Sequence, residues 1–132
     1  MRAWLAAAAA LLAASCATLD DKPAYLVGGW GGPHVALTFE GALGTVEYDC
    51  ASGTIDGLVF PAKDGRFTAK GQHRPGQGGP IRVGQIFRSY RATYTGQIIE
   101  DVMTLTVALE DGTSLGPFTL AHGAPPQLTR CL

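Results

Sequence analysis

Apolar and polar residues alternate with a period of two through most of the chain from Tyr25 onward. The stretches 35–40, 46–50, 90–95 and 103–109 show the pattern clearly. Successive side chains of a β-strand point to opposite faces of the sheet, so this alternation indicates strands with one buried and one wet face. No sustained 3.6-residue apolar period accompanies it, and glycine is too frequent for long helices. The pattern predicts an all-β domain over residues 25–132.

Turn-forming dipeptides separate the alternating runs, most clearly Asp64-Gly65 and Asp111-Gly112. Regular spacing with short turns indicates an up-and-down meander. Closure of such a meander removes its exposed edges, and about eight strands enclose an interior that side chains can fill. We therefore expect a small antiparallel β-barrel. Its strands are predicted near 26–30, 34–40, 44–50, 53–60, 66–73, 87–96, 101–109 and 114–121.

One long stretch, residues 71–84, is rich in glycine and proline. These residues interrupt strand pairing, so we predict a loop there. Loops on a rigid scaffold often carry function, although a long loop can also be a tolerated insertion.

The first 15 residues differ from the rest in composition. Arg2 precedes a run of alanine and leucine from Ala3 to Ala14, and Ser15 follows before Cys16. A basic start, an apolar stretch and small residues form the order of a secretory signal. The run is shorter than the roughly 20 residues that a bilayer span needs. Because alanine also favours helices, a plain helix is the alternative. We predict a signal peptide over 1–15 and a polar tether over 16–24.

The sequence Ala13-Ala14-Ser15-Cys16 resembles the bacterial lipobox, whose cysteine receives a diacylglycerol group. The resemblance implies that Cys16 is lipidated. Because Ala17 rather than Asp follows, it also implies an outer-membrane lipoprotein that faces the periplasm. The alternative is ordinary signal cleavage without acylation.

The chain has three cysteines, and acylation of Cys16 would leave Cys50 and Cys131 as an even pair. In an oxidising compartment a disulfide between them is the default. It would close a loop of about 80 residues, for which chain entropy suggests a stabilisation on the order of 4 kcal/mol. Two unpaired, buried cysteines are the alternative.

Gly28-Gly29-Trp30, at the start of an eight-strand meander, resembles the Gly-x-Trp signature of the lipocalin/calycin superfamily. The resemblance implies that Trp30 caps one end of the barrel and that Arg130 packs across its ring, a cation–π contact. The wider pattern Gly-Gly-Trp-Gly-Gly-Pro-His, with Glu-Tyr-Asp-Cys-Ala further on, also resembles small proteobacterial lipoproteins of unknown function.

Residues of inward parity supply the candidate binding groups. His73 and His122 end two strands and would lie near a barrel mouth, where imidazoles can bind a metal or titrate near neutral pH. The alternative is strand-end histidines bonded to loop backbone. Their spacing matches no ligand motif, so we predict no metal and no cofactor. Three tyrosines of the same parity would either fill the core or line a small apolar pocket: Tyr48, Tyr90 and Tyr94.

Ten Lys and Arg residues and 11 Asp and Glu residues are interspersed, for a net charge of −1. No basic stripe indicates nucleic-acid binding, and no nucleophile elbow or phosphate loop indicates an enzyme. We expect a non-enzymatic, lipid-anchored envelope protein that binds a small apolar ligand or an envelope protein. The alternatives are a periplasmic inhibitor of lysozyme or protease type, acting through loop 71–84, and a structural accessory of an outer-membrane complex.

Overall fold

The structure is a computed structural model that describes residues 25–76, 83–84, 86 and 88–129. Each strand pairs antiparallel with the next, and β1 pairs with β8, which closes the barrel. The predicted eight-strand up-and-down barrel is confirmed. The strands are β1 (Gly28–Gly32), β2 (Val35–Glu40), β3 (Leu43–Tyr48), β4 (Ala51–Asp56), β5 (Arg66–Pro75), β6 (Tyr90–Ile99), β7 (Val102–Leu109) and β8 (Ser114–His122).

The predicted signal peptide 1–15, Cys16 and the tether 16–24 lie outside the described residues, as do Arg130 and Cys131. No helix in the described ranges is long and apolar enough to cross a membrane.

Side chains of inward parity fill the barrel as one hydrophobic cluster. In β5, exposed and buried residues alternate from Arg66 to Arg74, as the period-two pattern requires. The largest side chains that are fully enclosed come from six of the eight strands: Val35, Leu37, Val46, Ile55, Tyr94, Met103, Leu105, Val107 and Leu120.

The up-and-down order places alternate strand connections at opposite ends of the barrel. The β1–β2, β3–β4, β5–β6 and β7–β8 connections lie at one end, which we call the long-loop end because the β5–β6 connection is the longest. The β2–β3, β4–β5 and β6–β7 connections lie at the other end. Residues 25–27, which lead into β1, lie at this second end. We call residues 25–27 the strap, and the end of the barrel that they cover the strap end.

The strap joins two opposite sides of the barrel. Leu26 N donates a hydrogen bond to Val59 O (2.8 Å), in the β4–β5 connection, and both side chains are buried. The rings of Tyr25 and Phe60 continue this contact, with centroids 6.0 Å apart. Because β1 and the β4–β5 connection face each other across an eight-strand barrel, the contact closes the strap end over the core.

After β8 the chain turns back and runs along the outside of β1. Gly123 N donates to Gly29 O (2.8 Å), and Gln127 N donates to Gly32 O (3.1 Å). A Cβ atom on Gly31 would collide with the carbonyl oxygen of Ala124. The glycines around Trp30 therefore allow this C-terminal tail, residues 123–129, to lie directly on the first strand.

Asp49 fixes the far end of the tail. Its Oδ1 accepts a hydrogen bond from Thr129 N (2.8 Å), and its Oδ2 lies 2.6 Å from His34 Nδ1. The hydrogen bond from the Thr129 backbone, aided by His34, holds the pKa of the Asp49 carboxyl below its usual value of 3.8. Hydrogen bonds to a carboxylate favour its charged form.

We expect the Thr129 contact to be lost in acid. A carboxyl whose folded pKa is depressed contributes stability above its unfolded pKa and loses it as the pH falls through the folded pKa. The Thr129 amide resonance should therefore shift below about pH 4 in an NMR titration, and Asp49→Ala should abolish the shift. The Gln127 amide, bonded to a backbone carbonyl, is the internal control. A shift of both amides together would contradict a local role for Asp49.

Most strand boundaries differ from the predicted ones by one to four residues, and two of the differences bear on the candidate sites. The predicted strand 66–73 overlapped the predicted loop 71–84, and the structure assigns residues 71–75 to β5, where they pair with neighbouring strands. At Gly71 a Cβ atom would collide with Thr54 O, so this glycine permits close strand approach and does not break the strand. An inhibitory loop over 71–84 would accordingly lose its first five residues to the barrel wall. The fourth strand was predicted to reach residue 60 but ends at Asp56, because Leu58–Phe60 instead helps to close the strap end.

Candidate functional site

Aromatic side chains gather inside the long-loop end. Tyr48 comes from the end of β3, and its ring lies 5.4 Å from that of His73 and 5.6 Å from that of Phe118. Tyr94 lies deeper, fully enclosed. We call these four residues the mouth cluster. Tyr90 is half-buried and pairs with His73 in the β5–β6 register, so it borders the cluster.

Two polar atoms of the mouth cluster are buried without a hydrogen-bond partner among the described residues. They are His73 Nδ1, in a residue that is only 5% exposed, and the Tyr48 hydroxyl, which interacts with the neighbouring Tyr94 phenol without a well-formed hydrogen bond. By contrast, the Tyr94 hydroxyl donates to Gln72 O (2.8 Å). Buried polar groups in native proteins are nearly always paired, because an unpaired group costs about 1–3 kcal/mol. This pair of atoms is therefore a candidate binding site.

Burial also keeps the mouth cluster uncharged. It lowers the pKa of His73, against a smaller opposing effect of the Asp111 carboxylate. It raises the pKa of Tyr48 far above its ordinary value, with the nearby Tyr94 phenol acting in the same direction. Burial raises the pKa of Tyr94 to about 12. At neutral pH the cluster thus presents a phenol and a neutral imidazole, each able to donate or accept a hydrogen bond.

Asp111 joins this end through the β7–β8 turn, where its Oδ1 accepts a hydrogen bond from Thr113 N (2.9 Å). In the sequence, Asp111-Gly112 indicates only a turn. In a meander, the β7–β8 turn lies at the same end of the barrel as the last residues of β5. The sequence could therefore have predicted a carboxylate at the same end as His73.

The structure does not bring His73 and His122 together. β5 ends at the long-loop end and β8 ends at the strap end, so the two imidazoles lie at opposite ends of the barrel. His122 is exposed, and its ring lies against that of Trp30, with centroids 4.8 Å apart. Among the described residues, no group of three or more His, Cys, Asp or Glu side chains could hold a metal ion.

Trp30 is buried within the barrel, and its Nε1 has no hydrogen-bond partner in the described part of the chain. Its aromatic neighbour is His122, and the predicted packing with Arg130 lies outside the described residues.

Cys50 is disulfide-bonded. Its partner is also outside them, so the pairing with Cys131 stays a prediction. The Asp49–Thr129 bond does bring the chain to within two residues of Cys131 beside Cys50.

A groove of about 550 Å³ lies on the outer wall across β4 to β7 and offers a second candidate site. Two of its charged side chains already have partners: Lys70 Nζ donates to Thr93 Oγ1 (3.1 Å), and a carboxylate oxygen of Glu110 accepts from Arg91 N (3.1 Å). The mouth cluster is the stronger candidate, because its polar atoms are both enclosed and unpaired.

No protein family, curated protein or solved structure was found to match the chain.

Proposed function

We propose that this protein is a non-enzymatic binding protein of the bacterial envelope, whose barrel takes a small ligand at the mouth cluster. The observation that carries the proposal is the buried, unpaired His73 Nδ1, whose ring lies 5.4 Å from that of Tyr48, a buried phenol without a well-formed hydrogen bond. A ligand that hydrogen-bonds to these atoms would remove the cost of leaving them unsatisfied.

The surroundings of these two atoms indicate what kind of ligand fits. Aromatic and aliphatic side chains pack against the hydrophobic core at this end of the barrel: Tyr48 and Phe118, with Leu109 at the end of β7 and Leu115 at the start of β8. Both polar groups are neutral at physiological pH, so a charged ligand would be desolvated without an opposite charge. We therefore propose a small, mostly apolar ligand with one uncharged polar group, such as a hydroxyl, an amide or a carbonyl.

The cellular setting is part of the same proposal. An acyl group on Cys16 would anchor the protein in the outer membrane, facing the periplasm, and the tether 16–24 would connect it to the barrel. Intact mass of the protein purified from the membranes of a Gram-negative host tests this directly. A chain that starts at acylated Cys16 supports the anchor, and a chain cleaved elsewhere without acyl mass refutes it.

Ligand binding can be measured with N-phenyl-1-naphthylamine, an uncharged apolar fluorophore with a single N–H group. We expect saturable fluorescence enhancement with the native protein. One lost hydrogen bond is worth about 1 kcal/mol, so Tyr48→Phe should weaken binding by about fivefold. Glu47→Gln, on the outer face of the same strand, is the control. Equal affinity in all three proteins would refute the mouth cluster as the site.

The stability of two matched variants separates binding from folding. Tyr94→Phe removes a paired hydroxyl, so the free energy of unfolding should fall by about 1 kcal/mol. Tyr48→Phe removes an unpaired buried hydroxyl, so the protein should be as stable as the native one, or more stable by up to about 1 kcal/mol. Urea unfolding of ligand-free protein measures both. A loss of stability in Tyr48→Phe as large as that in Tyr94→Phe would show that the Tyr48 hydroxyl serves the fold.

A further inference from the structure

The strap end carries most of the large apolar side chains that are exposed among the described residues. One lies in the strap and two lie in the β4–β5 connection. The others lie on the outer wall beside the β2–β3 and β6–β7 turns. They are Val27, Leu43, Leu58, Phe60, Ile99 and Val102, each 39–65% exposed. Apolar side chains grouped on one surface mark a place where a protein meets a membrane or a partner.

The chain reaches the barrel at this same end. Tyr25 is the first described residue and contacts Phe60, and Cys16 precedes Tyr25 by nine residues. Nine extended residues span at most about 30 Å, close to the length of one long strand of this barrel. An acyl group on Cys16 would therefore hold the strap end near the bilayer and leave the long-loop end away from it.

The charged side chains at the strap end indicate which kind of lipid surface it could contact. Carboxylates outnumber cations there, and all of them are exposed: Glu40, Asp56, Asp64, Glu100 and Asp101, against Lys63 and Arg66. Anionic lipid attracts basic segments, so by the same electrostatics it disfavours an acidic rim. Zwitterionic lipid presents ammonium groups at its surface, which carboxylates can approach.

We infer that the strap end rests on the surface of a zwitterionic bilayer, with Leu58, Phe60 and Ile99 at the depth of the headgroups. The inference rests on the proposed acyl anchor at Cys16 and adds a second membrane contact to it. In this orientation the mouth cluster, at the opposite end, opens to the aqueous compartment.

The test is a depth measurement on the full chain, purified from a Gram-negative host and reconstituted into phosphatidylcholine vesicles that contain brominated lipid. Phe60→Trp reports on the strap end. Val83→Trp, at a still more exposed position in the β5–β6 connection, is the control at the opposite end of the barrel. Trp30, together with Trp4 in any chain that keeps residues 1–15, is a constant background in both variants. We expect bromine to quench the emission of Phe60→Trp at least twice as strongly as that of Val83→Trp. Replacing half of the lipid with phosphatidylglycerol should reduce the difference.

Bromine quenching tests the docking of the strap end on the bilayer. Vesicle flotation and intact mass test the acyl anchor independently of it. Equal quenching in protein that floats with the vesicles overturns the docking and leaves the anchor intact. A blue shift of Phe60→Trp emission without bromine quenching also overturns it, in favour of a protein partner or a second copy. If the chain carries no acyl group, the same quenching is measured on soluble protein added to vesicles. Ile99→Trp replaces Phe60→Trp if that variant does not fold, and the same criteria apply.

Discussion

Replacing Leu37 by alanine is expected to lower the free energy of unfolding by about 2–5 kcal/mol, because the side chain is fully buried in the barrel core and leaves a cavity. Small domains are stable by only about 5–15 kcal/mol, so such a loss is a large fraction of the total. Urea unfolding followed by circular dichroism measures it.

Leu43→Ala is the matched control for this substitution. Leu43 begins the neighbouring strand β3, pairs with Glu40 across the β2–β3 hairpin and is 50% exposed. Surface substitutions usually change stability by less than about 0.5 kcal/mol. Similar losses in the two variants would contradict the assignment of Leu37 to the inside and Leu43 to the outside of the barrel.

Replacing Cys50 by serine should cost about 4 kcal/mol if Cys50 pairs with Cys131, because the disulfide then closes a loop of about 80 residues in the unfolded chain. Cys131→Ser should cost the same amount, and the double variant should cost no more than either single one. Unfolding with and without reductant measures the effect, and reductant should lower the stability of the native protein to that of the variants.

Cys16→Ser supplies the control for the cysteine substitutions. It should leave the stability of the barrel unchanged in either redox condition, since the acyl group is proposed to act on the membrane and not on the fold. A large loss from Cys50→Ser together with none from Cys131→Ser would show that Cys50 has a different partner.

The architecture was predictable because the inner face of the barrel is buried, and burial of alternate residues leaves a period-two record in β2 to β7. The sequence errors occur where a residue has a role that the alternation does not encode. Gly71 was assigned both to the end of the fifth strand and to the glycine-rich loop, whereas the close approach of Thr54 O requires a residue without a side chain within the strand. The apolar run Leu58–Phe60 suggests a strand, but its central residue, Val59, packs over the end of the core.

The positions of the histidines were partly available from the sequence. Successive strands of a meander run in opposite directions, so the final residues of the fifth and eighth strands must lie at opposite ends. The inward parity of His73 was likewise readable. The unpaired state of its Nδ1 was not, because it depends on which groups surround the ring in three dimensions. The position of the tail along β1 could not be predicted either, because a segment outside the strands that packs on a glycine-rich strand leaves no periodic pattern in the sequence.

The tail along β1 also bears on the order of folding. β1 is synthesised before its second neighbour, β8, and before the residues that bond to Gly29 and Gly32. Until residue 127 is available, the wall on that side has an open edge, and pairing across nearly the whole chain length is slow. The barrel therefore cannot close before β8 and the tail have been synthesised. Under the proposed export, this order would keep the chain extended while it crosses a narrow translocation channel.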